Sequence, residues 1–535
     1  VKDDVRIADL SKEAQQLVSI EPADCITLPP PYDKADEEPG PGRLTDDQKA
    51  RFDASLDGFL AIGIPRPQNA AEEEALVGRF VEGIRKLFSK EDNWTFLQPL
   101  LHSLDYCVKC QICSDACPAF VASGRKEIYR PTFRAEAFRK IVQKYVKKKG
   151  AFSLLMNGND IDLNARVVAR LAELAYRCTL CRRCAQVCPI GIDNALISRE
   201  IRKVMSQELG IAPNELHESG TVKQLKVGSS TGITPKALTN IIEFMEDEIE
   251  EKMGRRITIP IDKKGADVLL LHNAGEFMAW PENAEAFAII LDAAGVDWTL
   301  SSELAAYDAV NYGIWYDDVQ AARVAVRHMQ AAKALGVRKV WVGECGHAHK
   351  AMVVIADRLL TGDLNIPRES TLPFLADLVT SGKLRLDPER NRFPVTLHDP
   401  CNMVRLMGIV EPQRRILRAI CPDFREMEPH GVENYCCGGG SGFAIMQGTN
   451  FPDWRNMVSG RMKLKQILEA FSDVPDPGVH KYVCAPCSNC KGQIRDMFAH
   501  FNVWEKSGIL YGGLVELIAN AMVDLKEPMI KWEWH

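Results

Sequence analysis

Two copies of one tight cysteine run constrain this chain more than any other feature. The first is Cys107, Cys110, Cys113 and Cys117, with Pro118 following. The second is Cys178, Cys181, Cys184 and Cys188, with Pro189 following. Three thiolates at such spacing share a tight loop and hold three corners of a cubane [4Fe-4S] cluster. The fourth, just beyond, points away and serves the neighbouring cluster. On that pattern one cubane belongs to Cys107, Cys110, Cys113 and Cys188. The other belongs to Cys178, Cys181, Cys184 and Cys117. A zinc site normally takes four ligands in separated pairs, unlike these runs. A disulfide framework fits no better. The chain has 535 residues, Val1-Lys2-Asp3-Asp4 shows no basic-then-apolar export signal, and the cysteines crowd together. Lys109, Arg182 and Arg183 lie inside the loops, either as solvated surface groups or as charges that tune a cluster or dock a partner.

A chain this long forms several domains. Residues 1–99 read as an adaptor, with Pro29-Pro30-Pro31 and an acidic Pro/Gly stretch that resist regular structure, then helical periodicity over 71–88. The cysteine runs carry the ferredoxin signature, but 60 residues separate them, with helical periodicity over 133–145 and 165–176. A helical double-cluster module over 100–210 is therefore expected. It resembles the helical ferredoxin domains of succinate dehydrogenase and heterodisulfide reductase subunits. Residues 211–263 read as a connector.

From residue 264 strands alternate with helices. Strands are expected at 266–271, 339–342, 393–397 and 481–483, and helices at 282–294, 321–335 and 454–471. That alternation predicts parallel sheets with helical cover. This half also repeats itself. Leu271-His272-Asn273-Ala274-Gly275 matches Leu397-His398-Asp399-Pro400-Cys401, 126 residues later. Asn311-Tyr312-Gly313 stands where the later copy has Cys436-Cys437-Gly438, and Cys345 corresponds to Cys487. The expected fold is thus multidomain α+β: a helical ferredoxin domain, then a duplicated α/β domain with repeats over 264–390 and 391–535.

The later repeat is rich in cysteine: Cys401, Cys436, Cys437, Cys484, Cys487 and Cys490. Adjacent cysteines diverge, so Cys436 and Cys437 suit different irons of one cluster better than a single ion. Gly438-Gly439-Gly440 allows close backbone approach. Cys401 and Cys487 follow apolar strands, where ligands gather in open α/β sheets. Buried structural thiols, or a vicinal redox pair, remain the alternative. The stretches HDPCNMVR, ENYCCGGGSGF and APCSNCKGQI resemble the cysteine-rich CCG family. By that resemblance, to the heterodisulfide reductase catalytic subunit, Cys401, Cys436, Cys437, Cys487 and Cys490 hold one noncubane [4Fe-4S] cluster. The first gap, 34 residues from 402 to 435, suits the family; the second, 48 residues between Gly438 and Cys487, is long for it. A surface insertion absorbs such an excess. Cys484 competes for the closing pair. The earlier repeat keeps only Cys345. That departure is more similar to DsrK-like subunits of the sulfate-reduction-associated DsrMKJOP complex than to glycolate oxidase subunits.

Charge and hydropathy narrow the partners. A net charge of −6 argues against nucleic acid, and no stretch of 18 apolar residues is present. The resemblance implies an iron-sulfur oxidoreductase on the cytoplasmic face of the inner membrane, held there by partner subunits of a DsrMKJOP-like complex. Electrons would pass from menaquinol through an integral membrane haem b subunit and the two cubanes. They would reduce a disulfide or trisulfide on the small sulfur carrier protein DsrC. Other readings are an electron-transfer subunit of a glycolate- or lactate-type dehydrogenase, and a non-catalytic cluster scaffold. Cys345, His347, His349 and Lys491 are the candidate catalytic groups, expected along the substrate approach: a thiol to take up sulfur and a histidine to supply a proton. The other reading is a buried thiol beside core or surface histidines. Leu510, Leu514, Leu517 and Ile518 make an apolar stripe at helical spacing over 509–525, which packs on its own domain or docks a membrane subunit.

Overall fold

The computed structural model describes residues 58–534, except 94, 124, 148, 151, 154–160, 447–450 and 452–453. Most of the expected N-terminal adaptor, residues 1–57, lies outside the described residues. The chain forms two compact units. One takes the described residues up to His217, with Trp315–Asp318 and Gly438–Lys463. The other takes Glu218–Ile314, Val319–Cys437 and the described residues from Leu464.

The first unit is helical. Its main helices are α1 (Ala70–Leu87), α2 (Pro131–Ile141), α3 (Ala165–Tyr176) and α4 (Asn194–Leu209). Three begin at side-chain caps. Asn69 accepts the Glu72 amide at 3.0 Å, Asn164 the Val167 amide at 2.9 Å, and Asp193 the Ala195 and Leu196 amides at 3.0 Å. Pro131 starts α2, its fixed φ suiting the first helical position. The expected helix over 133–145 is instead α2 followed by a wider π-type turn, Val142–Val146. α4 lies at the centre. It packs so closely on α1 that a Cβ at Gly83 would stand 2.7 Å from Val204.

The second unit holds two four-stranded sheets. The first is built from β1 (Val268–Leu271), β2 (Trp298–Thr299), β3 (Lys339–Val342) and β4 (Arg368–Ser370). The second is built from β5 (Val395–Leu397), β6 (Phe424–Arg425), β7 (Lys481–Cys484) and β8 (Ile509–Gly512). The orders are β2-β1-β3-β4 and β6-β5-β7-β8, all pairs parallel, so both sheets have the same topology. Central pairs such as Leu270↔Trp341 and Thr396↔Val483 are buried, as parallel strands under helical cover require. The stretch read as a connector supplies α5 (Pro235–Met253), which buries Leu238, Ile242, Met245, Ile249 and Met253 at helical spacing. These side chains join one apolar core that runs through both sheets.

Residues 509–525 are not one helix. Ile509–Gly512 is β8, paired in parallel with β7, and α6 (Leu514–Ala521) follows. Leu514, Leu517 and Ile518 are fully buried in the shared core, so the stripe packs on its own unit. Among the described residues no helix is long and apolar enough to cross a membrane. Leu517→Ala is expected to cost about 2–5 kcal/mol, the usual cost of emptying a packed leucine site. Denaturant unfolding measures it, and an unchanged midpoint would contradict this packing.

Candidate functional site

Both cysteine loops of the first unit share an unusual backbone. Lys109 and Gln111 have φ of 58° and 68°, and Leu180 and Arg182 have φ of 51° and 61°. These are the same two positions of each run, and none is glycine. Left-handed residues so placed curl each loop tightly. Burial pushes the Cys113 thiol up to about 12, with Cys107, Cys117, Cys188 and Cys110 around it. Burial pushes Cys117 up to about 11, against the pull of Arg134; Cys181 and Cys178 lie beside it. Cys184 is raised too, by burial and then by Asp193, Cys181, Cys178 and Cys117. The structure thus brings Cys188 to the first loop and Cys117 to the second. The buried thiols of Cys113 and Cys184 keep their protons unless a cation offsets the charge. Iron supplies that charge, so this donor set fits [4Fe-4S] clusters.

The basic loop residues act as braces. Lys109 pairs with Glu136 at 3.0 Å, Arg182 with Asp193 at 2.8 Å, and Arg183 donates to the Ala116 carbonyl at 2.7 Å. Arg202 of α4 escaped the sequence reading altogether. Its buried guanidinium donates to the carbonyls of Ala175 (2.8 Å), Cys178 (2.6 Å) and Ser441 (3.2 Å). Burial lowers it to about 10. Nothing in the local sequence marks it, since its hydrogen-bond partners are backbone oxygens.

In the second unit the cysteines gather at the carboxyl ends of central strands. Cys487 lies three residues beyond β7, and Cys345 three beyond β3. The Cys437 Sγ stands 3.4 Å from the Cys490 Sγ. Cys490 also meets Cys487, Cys437 meets Cys436, and Cys345 hydrogen-bonds Cys487. Space is tight there: a Cβ at Gly346 would lie 3.3 Å from the Cys487 Sγ. Gly438, at φ 94°, admits the turn after the cysteine pair. Cys401 opens the short helix Cys401–Leu406 and is half-buried. Cys484 is a residue of β7 in the apolar core, so the cysteine beside Cys437 is Cys490, not Cys484.

A histidine that the sequence reading passed over joins this set. His398 follows β5 directly, and a ring nitrogen, the Cys437 Sγ and the Cys490 Sγ all lie within 4.8 Å of one another. Hydrogen bonds from Cys436 and Cys490, and a further one from His398, hold Cys437 well below the usual thiol range. The visible signal was its place in HDPC. A buried group of thiols and imidazole is a soft donor set that fits an iron-sulfur group.

The expected catalytic groups are all enclosed rather than set along an open approach. Cys345, His347, His349 and Lys491 are at most 1% exposed. The His347 Nε2 meets the Asn311 backbone at 3.1 Å, and its Nδ1 meets Asn489 at 2.7 Å. The His349 Nδ1 donates to the Cys345 carbonyl and its Nε2 accepts from Ser370, each at 2.8 Å. Burial lowers both imidazoles to about 4, so both are neutral at neutral pH. Lys491 donates to Glu516 at 3.3 Å and lies over Trp280. Glu344 accepts the Leu514 and Val515 amides at 2.9 and 2.8 Å, and burial pushes it up to about 8.

Comparison with known proteins agrees with both sites. Residues 103–192 match the 4Fe-4S dicluster domain, and residues 395–495 match the cysteine-rich CCG domain. The chain is 27% identical to the Hdr-like menaquinol oxidoreductase iron-sulfur subunit 2 of Archaeoglobus fulgidus, over 78% of this chain and 80% of that one. It is 25% identical to the Hdr-like menaquinol oxidoreductase iron-sulfur subunit of Archaeoglobus profundus, over 78% and 79%. It is also 25% identical to a subunit of the dihydromethanophenazine:CoB–CoM heterodisulfide reductase of Methanosarcina acetivorans, over 74% and 89%. No solved structure matches the chain.

Proposed function

We propose that this iron-sulfur oxidoreductase carries electrons through two cubane clusters to a noncubane cluster, where a disulfide or trisulfide is reduced. Cys107, Cys110, Cys113 and Cys188 would hold one cubane, and Cys178, Cys181, Cys184 and Cys117 the other. Cys401, Cys436, Cys437, Cys487 and Cys490 would hold the third cluster. The observation that carries the reading is the convergence of Cys437, Cys487 and Cys490 at the strand ends, with Cys345 hydrogen-bonded to Cys487. The relatives' names support it: two are menaquinol oxidoreductase subunits and one belongs to a heterodisulfide reductase. Electrons would come from menaquinol through a membrane haem b partner of a DsrMKJOP-like complex. The sulfur would be carried on DsrC. The chain would sit on the cytoplasmic face, held by its partners.

The clusters, when bound, supply electrons singly and offer a place where sulfur binds. The overall change is a disulfide plus two electrons and two protons giving two thiols. The chain's own residues set the conditions. Hydrogen bonds at both ring nitrogens fix His347 and His349, and through the Cys345 carbonyl His349 also fixes the Cys345 loop. Cys345 lies beside Cys487, so it is the thiol that would take up sulfur next to the cluster. Burial of this set favours a second reading, an electron-transfer subunit of a glycolate- or lactate-type dehydrogenase, because electrons need no open approach.

Purified protein, reduced viologen and a panel of disulfides and trisulfides test the choice. The proposal expects disulfide-dependent dye oxidation, and Cys345→Ser is expected to lower it at least about tenfold, roughly 1.4 kcal/mol, with iron content unchanged. No turnover with any substrate, alongside rapid reduction by a hydroxy-acid dehydrogenase, would establish the second reading instead.

A further inference from the structure

The two sheets of the second unit place a histidine at the same point, directly after the first central strand: His272 after β1 and His398 after β5. Their surroundings differ in a correlated way. The His272 Nδ1 lies 3.1 Å from the Glu276 carboxylate. The residue corresponding to Glu276, 126 positions later, is Asn402. The residues corresponding to Cys437 and Cys490 are Tyr312 and Ala348 in the earlier repeat. So where the thiols are missing, a carboxylate holds the imidazole. Where the thiols are present, the carboxylate is gone and the imidazole stands among sulfurs. The His398 ring nitrogen, the Cys437 Sγ and the Cys490 Sγ lie within 4.8 Å of one another, and all three residues are buried.

The surrounding turn is built to hold that position. The His398 amide donates to the Cys484 carbonyl at 2.8 Å, continuing the β5–β7 ladder. Next along the chain, Asp399 takes two bonds from Arg414, at 2.8 and 2.7 Å, and one from the Gly431 amide at 2.6 Å. Its carbonyl accepts from Asn434 at 2.7 Å, two residues before Cys436. One ion-paired aspartate therefore fixes both the histidine turn and the approach to the cysteine pair.

We propose that His398 binds iron directly in the C-terminal site, beside Cys437 and Cys490, so that this cluster has mixed sulfur and nitrogen ligation. The inference rests on the proposed third cluster. An imidazole ligand at this position is neutral where a thiolate would be charged, and nitrogen ligation of that kind raises the potential of an iron-sulfur centre. The C-terminal cluster would then accept electrons more readily than an all-thiolate site.

The test needs no substitution at first. The anaerobically purified holoprotein is prepared twice, once with histidine carrying the heavy nitrogen isotope, and examined by pulsed electron–nuclear double resonance. The expected result is a strong nitrogen coupling on the C-terminal cluster signal that changes with the isotope. His398→Gln should abolish it, while His347→Gln should leave it. His398→Cys should keep the cluster and shift its midpoint potential downward. A C-terminal cluster signal with no isotope effect overturns the nitrogen ligand and leaves the third cluster standing. So does a coupling that survives His398→Gln. Iron confined to the two cubanes overturns the third cluster and this inference together.

Discussion

Replacing Cys188 by alanine is expected to destroy the cluster built mainly on Cys107, Cys110 and Cys113, not only to disturb the loop that carries Cys188. The reason is geometric. Cys188 is among the thiols around Cys113, whereas Cys184 has Cys181, Cys178 and Cys117 for neighbours. In the proposed cluster, removing one of four ligands would expose an iron corner to water and loosen the loop around it. If the protein holds the three proposed clusters, iron content should fall by about one third, and the spectroscopic signal of the first cluster should vanish. Cys117→Ala should do the mirror image and remove the second cluster. If Cys188→Ala erased only the signal of the 178–184 loop, the crossed arrangement would be wrong.

The largest stability loss is expected from Arg202→Met. Arg202 is fully buried, and its hydrogen-bond partners are backbone carbonyls at the end of α3, at Cys178 and at Ser441. Methionine fills much of the volume but donates nothing, so several carbonyls lose their partners in a dry site. Each unsatisfied buried group costs about 1–3 kcal/mol, and losing a buried charged donor typically costs about 3–5 kcal/mol. The Ser441 hydroxyl still donates to the Cys178 carbonyl at 2.8 Å, which keeps the loss from being larger. Anaerobic denaturant unfolding gives the number. Because Cys178 begins the second loop, its cluster should also be lost more readily to a chelator. A change within about 0.5 kcal/mol, normal for a surface site, would contradict the role assigned to Arg202.

Several elements were legible in the sequence because their cause is local. The twin cysteine runs place their ligands within a few residues, so spacing alone announces a cluster module. α3 matches its expected range, 165–176, because its apolar positions recur at helical period and Asn164 caps it. β3 matches 339–342 because a short apolar run after Gly336 has one reasonable reading. The edge strands β2, β4 and β6 were missed because they span only two or three residues, too few to show a period. Residues 509–512 were misread because Leu510 happens to fall at helical spacing from Leu514 and Leu517. Leu510 lies in β8 and the other two lie in α6.

Taken alone, the sequence marked the cysteine runs as candidate iron ligands and set out the order of the helical and α/β parts and the internal repeat. The tertiary structure decided which of those residues meet. His398 and Cys490 are 92 positions apart, and Arg202 and Ser441 are 239 apart. Each pair is joined because separate segments end at the same place, at strand ends for the first and at a cysteine loop for the second. It was also the structure that enclosed Cys345, His347, His349 and Lys491, where the sequence left open both a substrate approach and a buried thiol among histidines. Periodicity and spacing report what neighbouring residues do to one another. Burial and convergence depend on how distant segments pack, and a hydrogen bond to a backbone carbonyl leaves no mark on the residue type of its partner.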